Sequence, residues 1–176
     1  MPPLTLIALL MSLPTYVIVD FGPETDLRHW STQNDTVMGG RSTSDFRLTD
    51  EGHFVFHGEV SLENDGGFAQ VRYRPTGPIE LGDATHLVLR VKGDGKAYQV
   101  RLKDRLATRH SYVYRVGTSG GWETLRVPLA EMWPQFRCRR LGLDDFGHAR
   151  AEELAILIGN GRAEAFRLEV DWVGLE

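Results

Sequence analysis

The chain has 176 residues, with 20 Lys and Arg against 24 Asp and Glu, a formal charge of -4 and 41% hydrophobic residues. That length suits one domain with a sizeable core, and the composition excludes a disordered or collagen-like chain. A general nucleic-acid binder carries a basic excess, so an acidic balance argues against that class and requires any cationic site to be local.

Leu4 to Met11 is uninterruptedly apolar and resembles the apolar part of an export signal. No Lys or Arg precedes Arg28, however, and no Ala-x-Ala cleavage site follows. The run is too short for a membrane span, which needs roughly 20 apolar residues. We therefore treat 1–15 as a signal-like or disordered segment, with an added N-terminal strand as the other reading. Residues 16–176 read as a single sandwich domain, and the sequence assigns no compartment.

Strands dominate from Tyr16 on. Tyr16 to Val19 is apolar, Asp20-Phe21-Gly22-Pro23 breaks it, and Trp30 is large enough to anchor the loop that follows against a core. His53 to Val60 alternates loosely, whereas Phe68 to Arg74 alternates well and stops before Pro75 and Gly77. His86 to Lys92 and Ala97 to Lys103 flank Gly93-Asp94-Gly95, the pattern of a hairpin. Ser111 to Val116 and Trp122 to Pro128 follow on either side of Gly120-Gly121. Ala130 to Phe136 reads as a short helical turn interrupted at Pro134, and 137–153 as a long excursion with one helical turn at Ala149–Glu153. Leu154 to Ile158 lacks alternation, as a strand covered on both faces should, and Phe166 to Trp172 alternates strictly.

Nine short strands, regular turn signals and no long amphipathic helix predict an all-β fold, an antiparallel β-sandwich. Its inward faces are supplied by Leu87, Leu89, Val91, by Tyr98, Val100, Leu102, and by Phe166, Leu168, Val170, Trp172. The opposite faces carry Gln70, Arg72, Arg74, then His86, Arg90, Lys92, then Gln99, Arg101, Lys103. If these strands are neighbours, an acidic chain presents a basic, hydrogen-bonding sheet face. Arginine suits bidentate recognition of carboxylate or phosphate, and glutamine bonds amides and hydroxyls. The alternative is a solvated face with charges interspersed for solubility.

Two stretches pair Asn-Asp with Gly-Gly: Asn34-Asp35 with Gly39-Gly40, and Asn64-Asp65 with Gly66-Gly67. Such residues bond their own backbone or tolerate positive φ, so both stretches read as shaped loops or as tight hairpin turns. Val37 and Met38 are apolar in an otherwise polar loop, which predicts that the first loop folds back onto the body. Three motifs in order, Asn34–Ser42, Phe56–Arg72 and Lys92–Tyr98, resemble those of the complex I intermediate-associated protein 30 family. The similarity runs from about Val19 to Val173.

The resemblance implies a jelly roll of the galactose-binding-domain type. It also implies a non-enzymatic protein-binding role, as an assembly factor or chaperone for respiratory complex I (NADH:ubiquinone oxidoreductase), whose subunits or assembly intermediates would be the partners. Asn34, Asp35, Met38, Gly39, Gly40, Asn64, Gly66, Gly67 and Arg72 carry the signature. With Gln70 and Arg101 they form the expected partner- or ligand-binding set. Eukaryotic members act in mitochondria, and this chain lacks an Arg- and Ser-rich presequence, so a bacterial relative with a different partner also fits.

The residues nominate no catalytic machinery. No Gly-x-Ser-x-Gly elbow and no phosphate-cradling Gly-x-x-x-x-Gly-Lys-Ser/Thr loop occurs. Cys138 is the single cysteine, set between arginines without a nearby His, and a buried, inert thiol is its expected role. His53 and His57 share a strand face without metal-specific spacing, and no calcium loop can be named. No metal or cofactor is expected. The alternative function is a carbohydrate-binding module, with Trp30, Tyr112, Tyr114 or Trp133 stacking on a sugar.

Overall fold

The computed structural model describes residues 14–176. The signal-like segment lies outside them except for its last two residues, where the Thr15 N–H donates to the Leu175 carbonyl at 2.8 Å. In chain order the strands are β1 (Tyr16–Asp20), β2 (Trp30–Asn34), β3 (Thr43–Leu48), β4 (Phe54–Val60) and β5 (Ala69–Tyr73). Then come β6 (Ile79–Glu80), β7 (His86–Lys92), β8 (Ala97–Lys103), β9 (Ser111–Gly117) and β10 (Trp122–Pro128). The last are β11 (Trp133–Phe136), β12 (Arg139–Arg140), β13 (Arg150–Ala151), β14 (Glu153–Ile158) and β15 (Glu164–Leu175).

Two antiparallel sheets form the expected sandwich. One has seven strands in the order β12-β11-β9-β8-β14-β5-β2; the other has six, β10-β7-β15-β4-β3 with β1 beside β15. Period-two alternation buries one face of each strand. Leu87, Leu89 and Val91 from one sheet, and Tyr98, Val100 and Leu102 from the other, share one core and are at most 1% exposed. Each such side chain contributes about 1.5–3 kcal/mol by leaving water. Trp30 anchors the end of β2 as expected, with its ring 4.4 Å from Phe54 and 4.9 Å from Tyr73.

Several local expectations are corrected. β7 and β8 are not a hairpin: β7 pairs with β10 and β15, and β8 with β9 and β14. The Gly93–Lys96 connection is a corner between sheets. Asp94 ties it down, accepting from the Arg167 N–H on β15 at 2.9 Å and from the Tyr98 hydroxyl at 3.0 Å. Leu87, Leu89 and Val91 on β7 and Tyr98, Val100 and Leu102 on β8 thus enter the same core from opposite sheets.

Trp172 is absent from the core cluster because the register of β15 shifts between Val170 and Trp172, handing the inward positions to Val173 and Leu175. The helical turn expected over Ala130–Phe136 shrinks to a 3-10 turn at Leu129–Glu131 followed by β11. β12 pairs only with Gln135 and Phe136, so Pro134 needs no N–H on that side. The turn expected at Ala149–Glu153 is instead β13 and the start of β14. Leu154–Ile158 is buried on both faces as expected.

Candidate functional site

The two Asn-Asp/Gly-Gly stretches meet at one end of the sandwich. Neither is a hairpin, because the first joins β2 to β3 and the second β4 to β5, and each crosses from one sheet to the other. After β2 the chain makes a single 3-10 turn, Asp35–Met38, which Gly39 ends at φ 91°. Asp35 takes the inward position and is 0% exposed. Its carboxylate accepts from Ser42 N at 2.9 Å and from Ser42 Oγ. It also accepts from Gly67 N at 2.6 Å and Phe68 N at 3.2 Å. Burial pushes its pKa up, but the Ser42, Gly67 and Phe68 donors outweigh burial and hold it below the usual carboxylate range.

The glycines follow from that clamp. A Cβ at Gly40 would overlap the Asp35 carboxyl, and one at Gly66 would stand 2.7 Å from Asp35 Oδ2. Asn34 accepts from Ser44 Oγ at 2.6 Å, and Asn64 adopts φ 56°, which Asn tolerates. The expected fold-back of Val37 and Met38 does not occur: they are 65% and 56% exposed. Polar bonds to Asp35 fix this loop, so apolar packing is not needed to hold it.

The second region is the outward face of the seven-stranded sheet. β14 lies between β5 and β8, and register sets Arg72, Ala155, Arg101, Val113 and Trp133 opposite one another in a row. A parallel row holds Gln33, Gln70, Leu157, Gln99 and Arg115. The expected third contributor, β7 with His86, Arg90 and Lys92, belongs to the other sheet and takes no part.

Gln33 Oε1 accepts from Arg72 Nη1 at 2.9 Å and from Gln70 Nε2 at 3.3 Å. Arg74 Nε donates to Glu153 at 2.6 Å, and Arg115 reaches Asn160 Oδ1 at 3.0 Å. Arg101 is different. It makes no hydrogen bond or ion pair among the described residues, and its buried Nε is unpartnered, as are Arg72 Nε and Gln99 Oε1. Burial holds the Arg101 guanidinium below its ordinary pKa, opposed by Cys138 and Glu153 nearby. Burial lowers Arg72 too, helped by Arg74.

The sequence-derived set therefore divides. Asp35, Gly40, Gly66 and Gly67 are joined in the clamp; Gln70, Arg72 and Arg101 share the sheet face. Gln33, Glu153 and Ala155 were missed. Gln33 lies in a polar strand, β2, without apolar alternation to mark its face, and nothing local distinguishes Ala155 from any small strand residue. Cys138 is exposed rather than buried, in the two-residue turn Arg137–Cys138 where both residues have positive φ. Of the candidate stacking aromatics, Trp30 and Tyr112 belong to the core, and Tyr112 OH lies 2.9 Å from His148 Nε2. A shallow cavity of ≈ 340 Å³ beside Leu129, Phe146 and His148 shares no residue with the face. Among the described residues no group of three or more His, Cys, Asp or Glu could hold a metal ion, and no helix could cross a membrane.

Two antiparallel sheets closed on one core place the chain in the class of antiparallel β-sandwiches. A family 11 carbohydrate-binding module from Clostridium thermocellum, solved with a β-1,3-1,4-mixed-linked tetrasaccharide, superposes with a TM-score of 0.63 at 13% identity, covering 93% of this chain and 96% of that one. That likeness shows the fold. Residues 19–170 match the family described as Complex I intermediate-associated protein 30, and the chain belongs to that family.

The Drosophila melanogaster complex I intermediate-associated protein 30, mitochondrial, is 27% identical over 186 residues, with 92% of this chain and 63% of that protein covered. The probable Caenorhabditis elegans counterpart is 25% identical over 77% of this chain and 46% of its own length. The chain thus spans about half to two thirds of the curated relatives it matches.

Proposed function

We propose that this chain is a non-enzymatic protein-binding domain that acts in the assembly of a respiratory complex I or a related membrane complex. It docks a partner on the outward face around Gln70, Arg72, Gln99 and Arg101, with the loops clamped by Asp35 as the rigid border. Arg101 carries the reading: a half-buried cation that makes no hydrogen bond or ion pair among the described residues, with a buried Nε left unbonded, is retained where a ligand completes its bonding. Family membership supplies the partner class. Cations and amides arranged on a sheet bind, and no reaction is assigned to them.

The test is affinity capture from detergent-solubilised native extract, comparing wild type with an Arg72→Glu/Arg101→Glu double variant. Respiratory-complex subunits recovered by wild type alone are the expected result. Equal recovery by both would sink the face. The second reading, a carbohydrate-binding module, is favoured by Trp133 standing at the end of the Arg72–Arg101 row. It predicts that soluble oligosaccharides change tryptophan fluorescence and that no protein partner is captured.

A further inference from the structure

We infer that the free edge of β2 receives an extended segment of the partner protein as an added strand, apolar on its inward side and polar on its outward side. This rests on the docking reading above and specifies how the partner engages beside that face.

Backbone hydrogen bonding points to the edge. β2 ends the seven-stranded sheet and pairs only with β5. The Arg74 N–H donates to the His29 carbonyl and the Asp35 N–H to the Phe68 carbonyl, so in this antiparallel ladder residues 29, 31, 33 and 35 bond β5. Residues 30, 32 and 34 therefore turn their backbone groups the other way. The Trp30 N–H is taken by the Leu27 carbonyl at 2.9 Å. The Thr32 and Asn34 N–H groups and the Trp30, Thr32 and Asn34 carbonyls meet no partner among the described residues, on a strand only half-buried from Ser31 to Asn34. Donors and acceptors alternating at strand spacing are matched by another extended backbone.

Local sequence points to the same edge. Exposed edges are normally guarded by charge, proline or a bulge. β10 carries Glu123, Arg126 and Pro128, β3 carries Asp45 and Arg47, β12 is a pair of arginines, and β1 has a register shift between Val17 and Val19. β2, Trp30-Ser31-Thr32-Gln33-Asn34, has no charge, no proline and no bulge.

The two flanks define the segment. Outward, Ser31 and Gln33 border the edge, and Gln33 Oε1 accepts from Arg72 and Gln70, so an added strand continues the polar face. Inward, Ser44 Oγ donates to Asn34 Oδ1 at 2.6 Å and brings β3 across from β2. Phe46 and Leu48 of β3 are half-buried there, and the Phe46 ring lies 5.6 Å from Phe54, on which Trp30 also packs. Alternate apolar side chains of the added strand extend that layer.

The probe is the blocked peptide Lys-Thr-Val-Thr-Val-Thr-Glu, titrated into the isotope-labelled full chain and followed by its amide resonances. The control is the same peptide N-methylated at the central Thr and both Val, which blocks its edges at unchanged charge. Shifts at the Thr32 and Asn34 amides are expected with the first peptide, and affinity at least about tenfold lower with the second, because backbone bonds are lost. In the free chain the Thr32 amide should exchange fast and the Ser31 and Gln33 amides slowly. Thr32→Pro removes an edge donor without touching the β5 ladder and should weaken the peptide to the same extent, with a thermal melt to establish folding. The exchange and N-methyl measurements need no variant.

Equal affinity of the two peptides, binding of neither, or a slowly exchanging Thr32 amide overturns the inference. In capture from native extract, loss of respiratory-complex subunits by folded Thr32→Pro supports it. Capture by Thr32→Pro as by wild type, with Arg72 and Arg101 still required, overturns the added strand and leaves the docking face standing. Failure of capture by wild type removes the docking reading and the inference with it. A dimer of the wild-type chain that Thr32→Pro dissolves assigns the edge to a second copy and overturns the partner assignment.

Discussion

Asp35 is fully buried and Arg101 half-buried with its Nε out of reach of water, yet the fold treats the two charges in opposite ways. Asp35 is surrounded by donors from Ser42, Gly67 and Phe68, and glycines at 40 and 66 clear the space around it. Arg101 makes no hydrogen bond or ion pair among the described residues. A satisfied buried charge is a structural device, and an unsatisfied one lowers stability until something binds. The family signature around Asp35 is therefore mainly what holds the loops, while the docking face proposed above lies one strand or more away, on positions whose sequence context is unremarkable.

Five experiments sharpen or break that contrast. The largest effect is expected from Asp35→Ala, which strands several buried donors and should lower the unfolding free energy by about 3 kcal/mol or more, read by urea denaturation. A loss below about 1 kcal/mol would show that the clamp is not structural. The same carboxylate sets an acid limit. Its folded pKa lies below the unfolded value, so its contribution is fully present above about pH 4 and is lost as pH falls through the folded pKa. Asp35→Asn should remove that part of the acid slope in melts taken below pH 5.

Next is Gly40→Ala, where the added methyl meets the Asp35 carboxyl; about 1–3 kcal/mol of destabilisation is expected in the same urea assay. Arg101→Met should act with the opposite sign. Removing an unpartnered guanidinium should leave stability unchanged or raise it by about 1 kcal/mol, while capture of partner is lost. Destabilisation by more than that would mean that Arg101 is structural, as Asp35 is. The smallest effect belongs to Met38→Ser, at 56% exposure, with a melting change equivalent to about 0.5 kcal/mol or less.

The sequence alone determined most of the strands, the inward sets on β7 and β8, the doubly covered β14 and the existence of two shaped loops. It did so because side-chain alternation, glycine conformation and Asn-Asp chemistry act within a few residues of one another. Only the tertiary structure decided the rest. It sent β7 and β8 to different sheets, set β14 between β5 and β8 so that Arg72 and Arg101 flank Ala155 in one row, and shifted the register that removes Trp172 from the core. It left Val37, Met38 and Cys138 exposed, and brought Gly67 to an aspartate 32 positions earlier. These outcomes depend on which distant segments become neighbours, and that is settled by how two apolar faces close on one core rather than by any local pattern.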